Sequence, residues 1–162
     1  MSSQKKIVSL NALKKIIGGL RRNGKTIAFT NGCFDILHFG HVSYLEASKK
    51  RNRILVIGIN SDSSIRKIKG PHRPIVGQKQ RAALISALAC VDYVTIFDEE
   101  TPLKVISALR PDVLIKGADW KRKEVVGGDV VQANGGKVEF IRYVNGFSTS
   151  RIVQAILEKC KK

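Results

Sequence analysis

Thr30-Asn31-Gly32-Cys33-Phe34-Asp35-Ile36-Leu37-His38-Phe39-Gly40-His41 is the stretch that decides how this chain is read. It follows an apolar, strand-like run, Thr26 to Thr30, and opens an amphipathic one, Val42 to Lys50, so it lies on a strand-to-helix turn. At such a turn free backbone amides and the positive end of a helix dipole converge, which makes it a ready site for a phosphate. His38 and His41, at i and i+3, fall on one face of the first helical turn, beside whatever anion the amides hold. Donors aimed at developing charge carry most of the rate in phosphoryl-type transfer, so the arrangement suits phosphorus chemistry. A His-x-x-His pair is also half of a zinc site. The one other histidine is His72, and Cys33, Cys90 and Cys160 show no ligand spacing, so no metal site is expected.

Outward from this turn the chain alternates regularly. A helical period through Leu10, Leu13, Ile16, Ile17 and Leu20, with Ser9 or Asn11 as cap and Asn23-Gly24 as stop, precedes the first strand. Then follow helix Val42–Lys50, strand Arg53–Ile59, helix Lys79–Ala89, strand Tyr93–Phe97, helix Leu103–Leu109, strand Val113–Ile115, strand Lys137–Ile141 and helix Thr149–Lys159. Short β-branched strands separated by helices predict an α/β fold, a doubly wound, mainly parallel sheet in three layers. Ligands then bind beyond the carboxyl ends of the strands. The residues found there look chemical: the Asn31 to His41 turn, Asn60-Ser61-Asp62, Lys116-Gly117-Ala118-Asp119-Trp120, and Asn145-Gly146-Phe147-Ser148-Thr149-Ser150. Asp98-Glu99-Glu100-Thr101-Pro102 reads as an ordinary cap and proline start of a helix. Arg66 to Gly77 reads as a long basic loop, hinged at Gly70 and Gly77 and mobile when empty. Arg81, on an otherwise apolar helix, suits a structural role as well as a functional one.

The chain has 162 residues, 43% hydrophobic and 26% charged, and is expected to form a single domain over 1–162, with 1–6 a flexible tail. No apolar run approaches the roughly 20 residues of a membrane span, and Met1 to Lys6 leads into an amphipathic helix instead of a signal-type region. The expectation is a cytoplasmic protein without a membrane partner. Three cysteines without a framework pattern agree with a reducing compartment. The formal charge of +16 points to anions, with basic clusters at Lys49-Lys50-Arg51-Asn52-Arg53, Arg66-Lys67-Ile68-Lys69, Lys121-Arg122-Lys123 and Lys159 to Lys162. A nucleic-acid-binding protein is the rival class. Aromatic residues are only 6%, however, and no stacking platform, helix-turn-helix or zinc-finger pattern accompanies the charge, so small anions are the expected ligands.

With the His-x-Gly-His turn placed on a doubly wound sheet, the chain resembles the nucleotidyltransferases that include cytidylyltransferases, pantetheine-phosphate adenylyltransferase and class I aminoacyl-tRNA synthetases. Thr30 to His41, Asn60-Ser61-Asp62, Lys69-Gly70 with Arg73-Pro74, Lys116 to Trp120, Asn134-Gly135-Gly136 and Ser148-Thr149-Ser150-Arg151-Ile152 together resemble the D-glycero-D-manno-heptose 1-phosphate adenylyltransferases, across nearly all of Ile7 to Ile156. The resemblance implies a Rossmann-like fold and AMP transfer from ATP to heptose 1-phosphate, with Mg²⁺ on the ATP phosphates, no covalent enzyme intermediate and a homodimer. It assigns catalysis to His38, His41 and Lys69. It assigns ATP binding to Asn31, Gly32, Cys33, Phe34, His38, His41, Gly117, Asp119, Ser148, Thr149 and Ser150. It assigns substrate binding to Asp35, Asn60, Asp62, Arg73, Lys116 and Trp120.

For several of these a plainer reading stands beside the implied one. Cys33 suits a small buried residue, Asp35 a turn cap or loop orienter, Ser148 a helix N-cap, Lys69 a surface cation and Trp120 a core aromatic. Cytidylyltransferases usually read Gly-Thr-Phe-Asp where this chain has Gly32-Cys33-Phe34-Asp35, and Arg-Thr-x-Gly where it has Tyr143-Val144-Asn145-Gly146. Both departures favour the adenylyl branch over a cytidylyltransferase or an FAD synthetase. Ala118 stands where a second Gly is expected, and Trp120 where Tyr is common. Any binding to DNA or RNA is expected to be weak, indifferent to sequence and steeply lost with salt, as counterion release dictates. A salt titration with two unrelated duplexes checks this, and sequence-selective binding at physiological salt would revive the rival class.

Overall fold

The computed structural model describes residues 2–118, 125–142, 144 and 146–160. Its elements run α1 (Ser3–Lys6), α2 (Leu10–Arg22), β1 (Thr26–Gly32), α3 (Phe39–Ser48), β2 (Arg53–Asn60), α4 (Asp62–Lys69) and α5 (Gln78–Ala87). They continue through β3 (Tyr93–Phe97), α6 (Leu103–Leu109), β4 (Val113–Gly117), α7 (Gly128–Ala133), β5 (Lys137–Ile141) and α8 (Thr149–Lys159). The five strands form one sheet in the order β3-β2-β1-β4-β5, every pairing parallel. The expected doubly wound, three-layered architecture is thus the observed one.

Parallel strands covered on both faces read as nearly continuous apolar runs, and the side-chain period of two decides which layer each residue joins. Leu55, Ile57 and Ile115 pack with Tyr44, Leu45, Ala82 and Ile85 under α3 and α5. Ile27, Phe29, Val56 and Leu114 pack with Leu13, Ile17, Ile106 and Leu109 under α2 and α6. Gly58 belongs to this arrangement, since a Cβ there would sit 2.7 Å from the ring of Phe29. The chain first winds outward from β1 to β3, then crosses to β4, so the topological switch and its crevice lie between β1 and β4.

Three expectations are corrected. The segment before Ile7 is no tail: Ser3–Lys6 is helical, Lys6 donates to the Leu88 carbonyl at 3.1 Å, and Ile7 bridges Val94 on the β3 edge. Arg66 to Lys69 ends helix α4, whose N-cap Ser61 accepts from the Ser64 amide. Being almost wholly polar, that helix lacks the apolar period that reveals helices in sequence. The remaining segment, 70–77, is tied down, as shown below; Gly70 has φ +90°, but Gly77 sits at an ordinary −61° as the N-cap of α5. Part of the basic surface is also internally neutralised, Lys49 pairing with Asp92 and both Lys50 (2.5 Å) and Arg53 (2.9 Å) with Glu139.

One cation is wholly buried. Arg81, on α5, is 0% exposed. It donates to the carbonyls of Val76 (2.9 Å), Asn60 (2.8 Å) and Cys33, and to the Asp62 carboxylate (2.9 Å). Its role is therefore structural, joining the ends of β1 and β2, the start of α4 and the segment before α5. Arg81→Met should destabilise the fold by about 3 kcal/mol, because it strands buried acceptors and one carboxylate. Arg81→Lys should recover only part of this, since one ammonium cannot span the fork. Urea unfolding of the two variants against the unaltered chain checks both statements.

Candidate active site

The phosphate turn is built by constraint at three positions. β1 ends at Gly32, where a Cβ would press on the Phe34 ring at 3.0 Å. Phe34 itself adopts φ +46°, a left-handed conformation that bulky side chains rarely accept and that concentrates at functional sites. The chain then enters α3 with His38 as an extended N-cap whose side chain caps nothing, its carbonyl receiving the His41 amide at 2.9 Å. Both imidazoles thereby remain available. They stack at 3.8 Å between centroids and 20° between planes, with the Phe34 ring 5.1 Å from His41. Gly40 is required between them, because a Cβ would lie 3.1 Å from the His38 ring and 3.2 Å from Cβ of Phe147.

The Nδ1 atoms of His38 and His41 are buried with no hydrogen-bond partner among the described residues. A buried nitrogen without a partner carries a desolvation cost that a hydrogen-bonding group beside it would relieve. Burial keeps both rings neutral. It lowers the pKa of His38, and it takes that of His41 down to about 4, helped by the proximity of His38 and Lys69.

Two cavities meet at Lys69. The larger, of about 390 Å³, lies over the sheet switch and brings together Asn31, Gly32, Cys33, Asn60, Lys69, Lys116 and Gly117. Tyr44, Glu100, Thr101 and Pro102 complete much of its wall. The smaller, of about 220 Å³, is formed by Asp35, Lys69, Arg73, Thr149 and Ser150. Lys116 spans the switch, donating from β4 to Oδ1 of Asn31 on β1 at 2.5 Å, and burial lowers its pKa to about 8. Lys69 also lies close enough to Cys33 to lower that thiol's pKa, yet burial dominates and raises it, so Cys33 is a poor nucleophile.

Asp35 lines the smaller cavity and also takes the loop-orienting place given as its plainer reading. Its Oδ1 accepts the amides of Ile75 (2.8 Å) and Val76 (2.9 Å), and its Oδ2 accepts Arg73 at 2.8 Å. Burial pushes this carboxyl up, but the Val76 amide, Arg73 and the Ile75 amide together hold it below the usual range. Asp35 thus orients the 70–77 segment through Arg73, Ile75 and Val76. Asp62 is a correction: it faces away from both cavities, into an open groove with Ser63, Arg66, Gln78 and Asp98, and is held by Arg81. Ser148 is the N-cap of α8, accepting the Arg151 amide at 3.2 Å, while Thr149 and Ser150 line the small cavity. Asp119 and Trp120, with Tyr143 and Asn145, lie outside the described residues.

Sequence reasoning missed the clip that brings α8 to the histidines. Phe147 packs on Gly40 and meets Phe39 edge to face at 5.2 Å. Both phenylalanines sit within the motifs, but as isolated apolar residues they carried no signal. It also missed Glu100 and Thr101 as cavity wall. No group of three or more His, Cys, Asp or Glu among the described residues is placed to hold a metal, and no described helix is long and apolar enough to cross a membrane.

A parallel sheet with an imidazole pair and cations gathered at its switch point has the parts for transfer chemistry on nucleotide phosphates. The family described as cytidylyltransferase-like matches residues 29–155. Bifunctional protein HldE of Syntrophotalea carbinolica is 49% identical over 154 residues, covering 95% of this chain and 31% of that protein. That of Campylobacter jejuni subsp. jejuni serotype O:6 is 51% identical over 156 residues, covering 96% and 32%. The chain therefore spans about a third of the length of the curated relatives it matches. A solved structure, the lipopolysaccharide core biosynthesis protein from Thermoplasma volcanium GSS1, superimposes with a TM-score of 0.60 at 33% identity, over 75% of this chain and 98% of that one. The chain belongs to the cytidylyltransferase-like family and is a nucleotidyltransferase.

The His41 environment has a consequence for stability. Its pKa of about 4 when folded lies below the ordinary 6.5, so between these values the unfolded chain binds more protons. The stability tied to neutral His41 is complete above pH 6.5 and is lost as pH falls toward 4. The drop in thermal midpoint from pH 7 to pH 5 should therefore be smaller for His41→Asn than for the unaltered chain, as calorimetry at the two pH values will show.

Proposed function

We propose that the chain transfers AMP from ATP to D-glycero-D-manno-heptose 1-phosphate, giving ADP-heptose and pyrophosphate. The observation that carries this reading is Lys69, shared by two cavities beside a neutral, unpaired imidazole pair. The small cavity, with the start of α8, suits the triphosphate. The larger one, wide enough for a small polar molecule, suits the acceptor. This reading moves Asn31, Gly32, Cys33 and Gly117 from the ATP role the resemblance implies to the acceptor side, and Arg73 the other way. An oxygen of the sugar 1-phosphate attacks the α-phosphorus in line, and the bond to the bridging oxygen breaks to release pyrophosphate. His38 and His41 donate to the α- and β-phosphate oxygens, and Lys69 neutralises the charge that builds between donor and acceptor. Asn31, Gly32 and Cys33 shape the turn; Lys116 and Asn60 face the acceptor; Arg73, Thr149 and Ser150 face the phosphates.

Mg²⁺ bound to ATP would supply further neutralisation of phosphate charge. Asp35, the carboxylate in the small cavity, has its oxygens committed to Arg73, Ile75 and Val76, so the ion would be carried on the nucleotide and not by that side chain. The sugar acceptor is supported by the motifs from Thr30 to Ile152 and by the likeness to a lipopolysaccharide core biosynthesis protein.

Pyrophosphate release with a panel of triphosphates and phosphorylated acceptors tests the reading. ATP with heptose 1-phosphate is expected to outrun CTP with glycerol 3-phosphate and ATP with FMN; preference for either of the latter pairs overturns the proposed acceptor and base. His38→Ala and His41→Ala should each lower turnover by about two orders of magnitude, the scale for removing a preorganised donor. Lys69→Ala should lower kcat and kcat/KM together, whereas its neighbour Lys67→Ala should leave both near normal.

A further inference from the structure

Resting on that reading, we infer that Glu100, presented by the turn between β3 and α6, selects a polyhydroxylated acceptor. The larger cavity carries cations at Lys69 and Lys116, which is what a phosphate needs. A carboxylate on the same wall would repel a phosphate. It is instead suited to hydroxyl groups, whose protons its two oxygens accept. Glu100 forms no ion pair among the described residues. Asp98, on the same turn, is likewise unpaired but lines the separate groove beside α4 and α5, so Glu100 is the carboxylate of this turn that reaches the cavity wall. The neighbouring Glu99 points elsewhere, pairing with Lys104 at 2.7 Å outside the cavity.

The turn that carries Glu100 is fixed to the sheet. Asn60, itself part of the cavity wall, donates to Oγ of Ser64 at 2.9 Å, and that hydroxyl donates to the Glu99 carbonyl at 2.7 Å. The Ser61 amide adds a bond to the Phe97 carbonyl at 2.8 Å. The backbone just before Glu100 is thus held by the end of β2, so the exposed Glu100 side chain projects from a fixed turn. A sugar phosphate would enter with its phosphate toward Lys69, the cation facing the nucleotide cavity, and its hydroxyls toward Glu100. This polarity rejects acceptors that offer a second anion or an apolar group where the hydroxyls belong.

The test is steady-state kinetics of pyrophosphate release from ATP by the unaltered chain, Glu100→Ala, Glu100→Gln and the control Glu99→Ala. Sugar 1-phosphates serve as acceptors, among them analogues lacking single hydroxyls. Glu100→Ala is expected to raise the acceptor KM about ten- to a hundredfold, the cost of losing a charged hydrogen bond, with the ATP KM and thermal midpoint unchanged. Glu99→Ala should change neither KM. Removal of the hydroxyl that Glu100 binds should weaken the unaltered chain and have no further effect in Glu100→Ala. An unchanged acceptor KM in Glu100→Ala, or an equal rise for ATP, overturns this inference while leaving the proposed reaction standing. Failure of the unaltered chain to use any sugar 1-phosphate overturns both.

Discussion

The guanidinium of Arg81 is the interaction on which the site depends. A charge removed from water is tolerated only where oxygens replace its hydration, and here they come from four separate segments: Cys33 in the phosphate turn, Asn60 at the end of β2, Asp62 at the start of α4 and Val76 before α5. A planar fork with donors in fixed directions converts that electrostatic need into geometry. It sets the end of β1 against the end of β2, and it places α4 so that Lys69, at its far end, reaches both cavities. No apolar residue of similar volume could fix these carbonyls in place.

The same logic governs Asp35, which is the acidic counterpart one turn away. It gathers two amides and Arg73, and so sets the course of the segment after α4 beside the site. The protein thus spends one buried cation and one buried anion on scaffolding, and leaves the imidazoles, whose charge state responds to their surroundings, for the chemistry. Lys116 extends the pattern across the sheet: its bond to Asn31 ties β4 to β1 at the topological switch.

What could be read from the chain alone was whatever is local. The histidine turn, the strand-end clusters and the alternation of strands and helices all declare themselves within a few residues, and the sheet and most of the cavity lining follow. Asp62 was misplaced because its partner, Arg81, lies far along the chain and no periodicity links them. For Asp35 the loop-orienting reading is open in the sequence, but its partners at 73–76 cannot be named from it. Helix α4 was hidden by its polarity. Glu100 and Thr101 looked like a routine helix start because their second duty, walling a cavity, arises only when β3 comes to lie beside β2.

Helix α8 contributes Thr149 and Ser150 to the smaller cavity, yet none of its residues is buried, and Phe147 just before it contacts Gly40 and Phe39. The free energy that holds such an element is a small fraction of that holding the sheet, so the two halves of the cavity belong to different cooperative units. Opening of α8 can then occur many times for each global unfolding event. Such opening would unwall the smaller cavity while leaving the imidazole pair, the Arg81 fork and the larger cavity undisturbed.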